Sequence, residues 1–160
     1  MKLLLKNILF TLVFPGTVGV YLPLILTRGL SAGPGLTLPA SLVFFFIASV
    51  IYLWSIWNFA TRGRGTPLLT DAPKKLVIQG PYLYTRNPMY VAILAALLGW
   101  LVLYQSIGLL VYSFAVAAAV TLFVTRYEEP HLQREFGGEY DGYKARVPRW
   151  MPRLPRSPDS

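Results

Sequence analysis

Four long apolar stretches constrain this chain more than any other feature of its sequence. They cover residues 8–26, 38–60, 88–104 and 107–124, and most charged residues lie outside them. The longest approach or exceed the ~20 residues that an α-helix needs to cross the hydrocarbon core of a bilayer. Apolar residues make up 54% of the chain, which is a higher apolar content than that of a typical soluble domain. The sequence therefore predicts an all-α integral membrane protein with about four transmembrane helices, formed by residues 1–160 as a single membrane domain.

The first stretch contains helix-distorting residues, and these predict a kinked rather than a straight helix. They are Pro15, Gly16, Gly19 and Pro23. A signal peptide is the alternative interpretation, because two lysines precede the apolar run. The length of the run and the lack of a small-residue cleavage site favour a retained helix.

The last two stretches are separated only by Gln105 and Ser106, which predicts a tight helical hairpin. The first arm of this hairpin is short, so we expect it to span less than the full hydrocarbon thickness. The second arm leads into residues 125–152, where apolar and charged residues alternate at helical spacing around Gly137 and Gly138. This pattern predicts short amphipathic helices at the membrane surface. Residues 153–160 are predicted to form a tail without structure of its own.

Basic residues are distributed unevenly among the segments between the spans. Four spans would place 14 of the 15 on one side, namely two before the first span, five in residues 61–87 and seven after the last span. Because cytoplasmic segments carry the excess of lysine and arginine, both termini are predicted to be cytoplasmic. The net charge of +8 is explained by the membrane surface, so no nucleic-acid partner is expected.

The absence of cysteine and the presence of a single histidine, His131, limit the available chemistry. A disulfide framework, a thiolate nucleophile and a multi-histidine metal centre are excluded, and no metal is predicted. No obligate protein partner is evident. The predicted partner is the lipid bilayer, and any chemistry is expected at the cytoplasmic face, in residues 61–87 and 125–152.

The stretch "TRNPMY" begins the hairpin with helix-starting residues. Asn87 is placed as the N-cap and Pro88 at the first helical position, where its missing N–H costs nothing. The free N–H groups and positive dipole end of this helix would suit an anionic or polar ligand. Ordinary helix capping is the alternative interpretation.

The stretch "TRYEEPHL" follows the second arm of the hairpin and contains an acidic pair, Glu128 and Glu129. Adjacent carboxylates on a helix point in different directions. One of them is therefore able to face inward and bind an amine or a ribose hydroxyl, while the other is expected to face water. The alternative is a solvated helix terminus with no ligand.

Residues 74–152 together resemble a known group of membrane enzymes. "KKLVIQGPYLYTRNPMYVA", a hairpin and "EEPHLQREFGGEYDGYKARVPRWMP" are similar to the superfamily of isoprenylcysteine carboxyl methyltransferases and phospholipid methyltransferases. The matching positions are Leu76, Val77, Gly80 and Tyr82; Arg86, Pro88 and Tyr90; Glu128 and Glu129; Phe136, Gly137, Tyr140 and Tyr143; Val147 and Pro148.

The resemblance implies S-adenosylmethionine as the cofactor and a lipophilic methyl acceptor that enters from the bilayer. It implies that the cofactor is bound by Lys75, Leu76, Val77, Gly80, Tyr82, Arg86, Asn87, Pro88 and Tyr90, and by Glu128 from the opposite side. Glu129 is the candidate base for an amine or thiol acceptor. Arg126 is the candidate contact to an acceptor carboxylate.

Two departures from the family pattern bear on the acceptor. Asn87 replaces the motif histidine, and Val124 occupies the position of an arginine that contacts the substrate carboxylate in the prenylcysteine branch. A phospholipid amine, a small thiol or another lipophilic acceptor therefore stays open. Two other classes of function also stay open, an NADPH-dependent sterol-type membrane reductase and a membrane adaptor without enzymatic activity.

Overall fold

The computed structural model describes residues 2–63 and 76–152, and all regular secondary structure in these two ranges is helical. The α-helices are α1 (Lys2–Gly16), α2 (Leu22–Leu26), α3 (Thr37–Asn58), α4 (Pro88–Tyr104), α5 (Ile107–Phe123), α6 (Glu129–Phe136) and α7 (Gly138–Arg146). Three π-helical segments continue α1, α3 and α5, namely Thr17–Tyr21, Phe59–Gly63 and Val124–Glu128. A 3₁₀ turn spans Gly80–Leu83. Lys75 and the predicted tail lie outside the described residues.

A kink was predicted in the first apolar stretch. At this place the structure has the π-helical segment Thr17–Tyr21, which joins α1 to α2. A π-helical turn shifts the backbone hydrogen bonds by one residue and disturbs the pairing of nearby carbonyl groups. Two side chains of the hairpin bond to carbonyls in this segment. Trp100 Nε1 donates to the Gly19 carbonyl at 2.9 Å, and Tyr112 Oη donates to the Val18 carbonyl at 2.8 Å. The hairpin therefore holds the irregular segment in place.

Replacing Trp100 with phenylalanine is expected to lower the free energy of unfolding by about 1 kcal/mol, since an interhelical hydrogen bond in a membrane contributes roughly 0.6–2 kcal/mol. The midpoint of denaturation of the purified protein in detergent measures this loss. Trp57→Phe is the matched control, because Trp57 is 69% exposed on α3. Equal effects of the two substitutions would contradict a role for the Trp100 bond.

Close contact between α3 and α4 forms the centre of the bundle. A Cβ atom added at Gly99 would lie 2.8 Å from Phe45 Cε1, so only glycine permits this approach of the two helices. The Phe45 ring also packs edge-on against Trp100, with ring centroids 5.3 Å apart. The hairpin turn is as tight as predicted, because Gln105 ends α4 in the left-handed conformation and Ser106 precedes α5.

The outer surface of the bundle is apolar. Phe46 and Phe114 are 70% and 69% exposed, for example, and an apolar surface of this extent is typical of a bundle that faces membrane hydrocarbon. The helical stretches Leu9–Leu26, Thr37–Thr61 and Ile107–Phe136 are long and apolar enough to cross a membrane, whereas Pro88–Tyr104 is shorter. The chain is thus an all-α integral membrane protein, with three helical stretches long enough to span a membrane and one shorter apolar helix, the first arm of the hairpin.

The last span differs from its predicted bounds, because helical structure continues beyond residue 124. One unbroken helical stretch, here named the α5 stretch, consists of α5, the segment Val124–Glu128 and α6, and it ends at Phe136. The acidic pair therefore lies within a continuous helix rather than after it. Gly137, with φ +50°, then turns the chain into α7, and the predicted short amphipathic helices are α6 and α7.

Candidate active site

The candidate site begins with the turn that precedes α4. Gly80 has φ +58°, a conformation that favours glycine, and a Cβ atom there would lie 2.7 Å from Asn58 Nδ2. The 3₁₀ turn Gly80–Leu83 therefore packs directly on the end of α3. This packing buries Tyr82, whose ring centroid lies 6.4 Å from that of Phe59.

Residues Thr85–Asn87 bond to the backbone of the C-terminal segment at Pro148 and Arg149. The Arg86 backbone N–H donates to the Pro148 carbonyl at 2.9 Å. The Arg149 carbonyl accepts two bonds, from Thr85 Oγ1 at 2.8 Å and from Asn87 Nδ2 at 3.1 Å. Two segments about sixty residues apart in sequence are thereby joined at the start of α4.

Asn87 occupies the predicted N-cap position, but its side chain does not cap α4. It makes no bond to the first turn of the helix and donates instead to the Arg149 carbonyl. The capping interpretation was wrong in this detail, because the backbone of the distant C-terminal segment competes for the amide. The first turn of α4 is consequently left without a side-chain cap.

The two carboxylates of the acidic pair diverge, as expected for adjacent residues on a helix. Glu128 Oε2 accepts a hydrogen bond from Tyr90 Oη at 2.9 Å, which links the middle of the α5 stretch to the first turn of α4. Glu129 does not face water, as was predicted for one member of the pair, because its 14% exposed side chain packs against two arginines. Its carboxylate accepts paired bonds from Arg149 Nε and Nη2 at 2.9 and 2.8 Å, and Oε1 lies 3.1 Å from Arg86 Nη1.

A small aromatic core supports these ion pairs outside the apolar spans. Tyr140, Tyr143 and Val147 are buried together, and Leu76, Ile78, Leu132 and Phe136 pack against them. Tyr143 Oη donates to the Tyr82 carbonyl at 2.8 Å, so the core also holds the 3₁₀ turn. The segment that starts at Leu76, the turn and α7 therefore form one packed unit.

Burial and nearby charges alter the ionisation of the groups in this unit. Burial and the neighbouring Glu129 carboxylate raise the pKa of Tyr140 to about 12. Burial also raises the pKa of Tyr143, and it raises the pKa of Tyr82 well above its usual range, with the charge of Glu128 adding to the effect. The hydrogen bonds to Glu129 raise the pKa of Arg149. At neutral pH the tyrosines are therefore hydrogen-bond donors and Arg149 is a cation.

One buried donor in the site has no partner among the residues that the structure describes. The Arg86 side chain is 11% exposed, and Nη1 contacts Glu129 and, at 3.5 Å, Tyr140 Oη. Arg86 Nε is buried and makes no hydrogen bond to any residue that the structure describes. An unpaired buried guanidinium N–H costs about 1–3 kcal/mol or more, and a ligand acceptor would remove this cost.

Most of the predicted site residues lie in this one region. The turn and the start of α4 bring together Gly80, Tyr82, Arg86, Asn87, Pro88 and Tyr90. Leu76 and Val77 precede this group in the chain, and Glu128 and Glu129 face it from the α5 stretch. Arg126, in contrast, is exposed and forms no hydrogen bond or ion pair with the described part of the chain. Their roles in binding and catalysis stay predictions.

Arg149 is the residue that the sequence analysis missed. In the sequence, Arg149 counted only toward the net charge. In the structure its side chain pairs with Glu129, and its carbonyl accepts hydrogen bonds from Thr85 and Asn87. The available signal was its position directly after the Val147–Pro148 match.

His131 stacks on Tyr127, and its Nε2 is buried without a partner among the described residues.

The architecture and the site define an all-α membrane protein with a polar, ion-paired centre at one end of its bundle. A family model described as phospholipid methyltransferase matches residues 36–139, well over half of the chain. The chain belongs to this family of membrane methyltransferases. No curated protein and no solved structure matches the chain. The family assignment agrees with the resemblance found in the sequence, and α1 and α2 precede the matched residues.

Proposed function

We propose that the chain is an S-adenosylmethionine-dependent methyltransferase that acts on a lipophilic or small membrane-partitioning acceptor. Its site is the region where the start of α4 meets Glu128 and Glu129 of the α5 stretch. We infer from the basic residues that this end of the bundle and both termini face the cytoplasm. The observation that most supports the proposal is that one site contains both a donor suited to an anionic group and a carboxylate suited to a cationic group. Arg86 Nε, a buried donor without a partner in the described ranges 2–63 and 76–152, lies in the same site as the Glu128 carboxylate.

The residues fit the cofactor group by group. S-adenosylmethionine, when bound, supplies a methyl group activated by an adjacent sulfonium. Its carboxylate suits Arg86 Nε and the uncapped first turn of α4. Its ammonium or ribose hydroxyls suit Glu128, which Tyr90 orients. Leu76, Val77, Gly80, Tyr82 and Pro88 would supply apolar and aromatic walls, and Lys75 stays a proposed contact.

The chemical work left to the protein is positioning and exclusion of water. A methyl group is transferred in line from sulfur to the nucleophile, so the chain must hold the acceptor atom opposite the sulfur. Both oxygens of Glu129 already contact Arg86 or Arg149. We therefore propose Glu129 as a positioning residue that joins the turn, the α5 stretch and the C-terminal segment, in place of the base role first assigned to it. Arg126 stays a proposed contact for an anionic acceptor head group.

Calorimetric titration of the purified protein tests the cofactor. We expect S-adenosylmethionine and its demethylated product to bind and NADPH not to bind. The proposal would be overturned by binding of NADPH alone, which would indicate a reductase. Binding of none of the three would indicate an adaptor.

A further inference from the structure

His131 is a partly buried imidazole that has no role in the proposed site so far. It lies on α6, and its Nε2 atom is buried without a hydrogen bond to any residue in the ranges 2–63 and 76–152. A buried polar atom without a partner is costly, so each such atom requires an explanation. The head group of a bound acceptor would be a partner that the described chain does not supply.

The imidazole lies beside the carboxylate that faces α4. His131 follows Glu128 by three residues on the α5 stretch, and this spacing places their Cβ atoms about 5–6 Å apart on the helix surface. Glu128 is in turn bonded to Tyr90 at the start of α4. Glu129 precedes His131 by two residues and therefore points to nearly the opposite side of the helix, toward its two arginines. The imidazole and the ion pairs thus occupy different sides of the α5 stretch.

An aromatic strip connects His131 with the exposed apolar surface of the bundle. Phe123, Tyr127 and His131 follow one another at intervals of four residues, and their rings stack with centroids 5.5 and 6.5 Å apart. Phe123 and Tyr127 are 40% and 51% exposed, whereas His131 Nε2 is buried. The imidazole therefore lies between the exposed strip and Glu128, on the side from which an acceptor in the bilayer reaches the site.

The other ionisable groups that the structure describes in this site have partners already or hold their protons. Both oxygens of Glu129 contact arginines, and Glu128 accepts the Tyr90 bond and is the proposed partner of the cofactor. The raised pKa values of Tyr140 and Tyr143 keep these phenols protonated at neutral pH. Imidazole is the side chain that most often serves as a general base, and with its proton on Nδ1 it offers a lone pair at Nε2.

We propose that His131 is the general base of the reaction and that its Nε2 takes the proton from an amine or thiol acceptor. An alkylammonium or thiol group must lose a proton before it is an effective nucleophile. In this step the N–H or S–H bond of the acceptor breaks, its electron pair stays on the nitrogen or sulfur, and a new N–H bond forms at Nε2. The imidazolium then releases the proton to water. This inference rests on the proposed function and assigns the base that Glu129 does not supply.

Isotope labelling of the single histidine tests contact with the acceptor without any methyl transfer. The full chain is prepared with isotope-labelled histidine and without a histidine tag, so that the imidazole NMR signals in nanodiscs report His131 alone. The probes are hexadecylamine and hexadecanethiol, and hexadecyl methyl ether is the control without a transferable proton. We expect the amine and the thiol to shift the Nε2 signal and the ether to leave it in place. An Nε2 signal that neither probe moves, or that the ether moves equally, would overturn the proposal.

Replacing His131 with glutamine tests the proton transfer itself. The amide keeps a polar group near the position of Nε2 but takes up no proton at neutral pH. We expect methyl transfer to the probe that the wild-type protein methylates to slow roughly 100-fold or more, the lower end of the ~10²–10⁴ that a general base contributes. Arg134→Gln is the control, because Arg134 is exposed on the same helix. His131→Ala should lose a similar factor and regain part of the rate when free imidazole is added, which a structural role would not allow.

Titration with S-adenosylmethionine separates this inference from the proposed function. We expect His131→Gln to bind the cofactor with unchanged affinity. If it does so and also transfers methyl groups at the wild-type rate, His131 is not the base and the proposed function still stands. If the wild-type protein fails to bind S-adenosylmethionine, the proposed function fails, and with it the assignment of His131 as the base.

Discussion

Replacing Glu128 with glutamine is expected to weaken the binding of S-adenosylmethionine by roughly 10- to 100-fold. A hydrogen bond to a charged group contributes about 1.5–3 kcal/mol, and each 1.4 kcal/mol corresponds to about a factor of ten in affinity. The amide keeps the shape of the side chain and an oxygen that accepts the Tyr90 bond. The substitution therefore removes the negative charge that an ammonium group would face, and it leaves the link between α4 and the α5 stretch in place.

Calorimetry measures the affinity, and the denaturation midpoint shows whether the fold is retained. Glu139→Gln serves as the control, because Glu139 is an exposed carboxylate on α7. Unchanged cofactor affinity in Glu128→Gln would remove Glu128 from the binding site. A loss of affinity accompanied by an equal loss of stability would assign Glu128 a structural role instead.

The bounds of α4 show how much local sequence can determine. The predicted span 88–104 and the observed helix coincide, because Pro88 favours the first helical position and Gln105 and Ser106 break the apolar run. The α5 stretch shows the opposite case. Its apolar run ends at Val124, but the helix continues through Pro130 to Phe136 and ends only before Gly137. The π-helical segment Val124–Glu128 lies just before Pro130, which lacks the N–H needed for a regular helix.

The site residues illustrate a second limit of the sequence. Spacing along a helix was sufficient to predict that Glu128 and Glu129 diverge, because this follows from helix geometry alone. It could not identify their partners, since Glu129 pairs with Arg149 twenty residues away and with Arg86 on another segment. Such pairs depend on how the C-terminal segment docks. The same docking determines that the Asn87 amide binds the Arg149 carbonyl rather than the first turn of α4.

Replacing Glu129 with glutamine is expected to lower the free energy of unfolding by about 3 kcal/mol. Removing one partner of a buried ion pair costs about 3–5 kcal/mol, because the other charge is left buried and uncompensated. Arg86 would be that charge, since its side chain is 11% exposed and its remaining contact, Tyr140, is 3.5 Å away. The Arg149 side chain is 36% exposed, so water compensates part of its loss, which places the expected value at the lower end.

The denaturation midpoint measures this loss, and limited trypsin digestion at Arg134, Lys144 and Arg146 shows whether the C-terminal segment detaches. Glu135→Gln is the control on the same helix, because Glu135 is exposed. The double substitution Arg86→Gln with Glu129→Gln should recover part of the stability, since it removes the uncompensated charge as well. A Glu129→Gln protein as stable as the Glu135→Gln protein, yet without methyl transfer, would return Glu129 to the role of a base. A destabilised protein whose stability the double substitution partly restores would establish Glu129 as the residue that joins the three segments of the site.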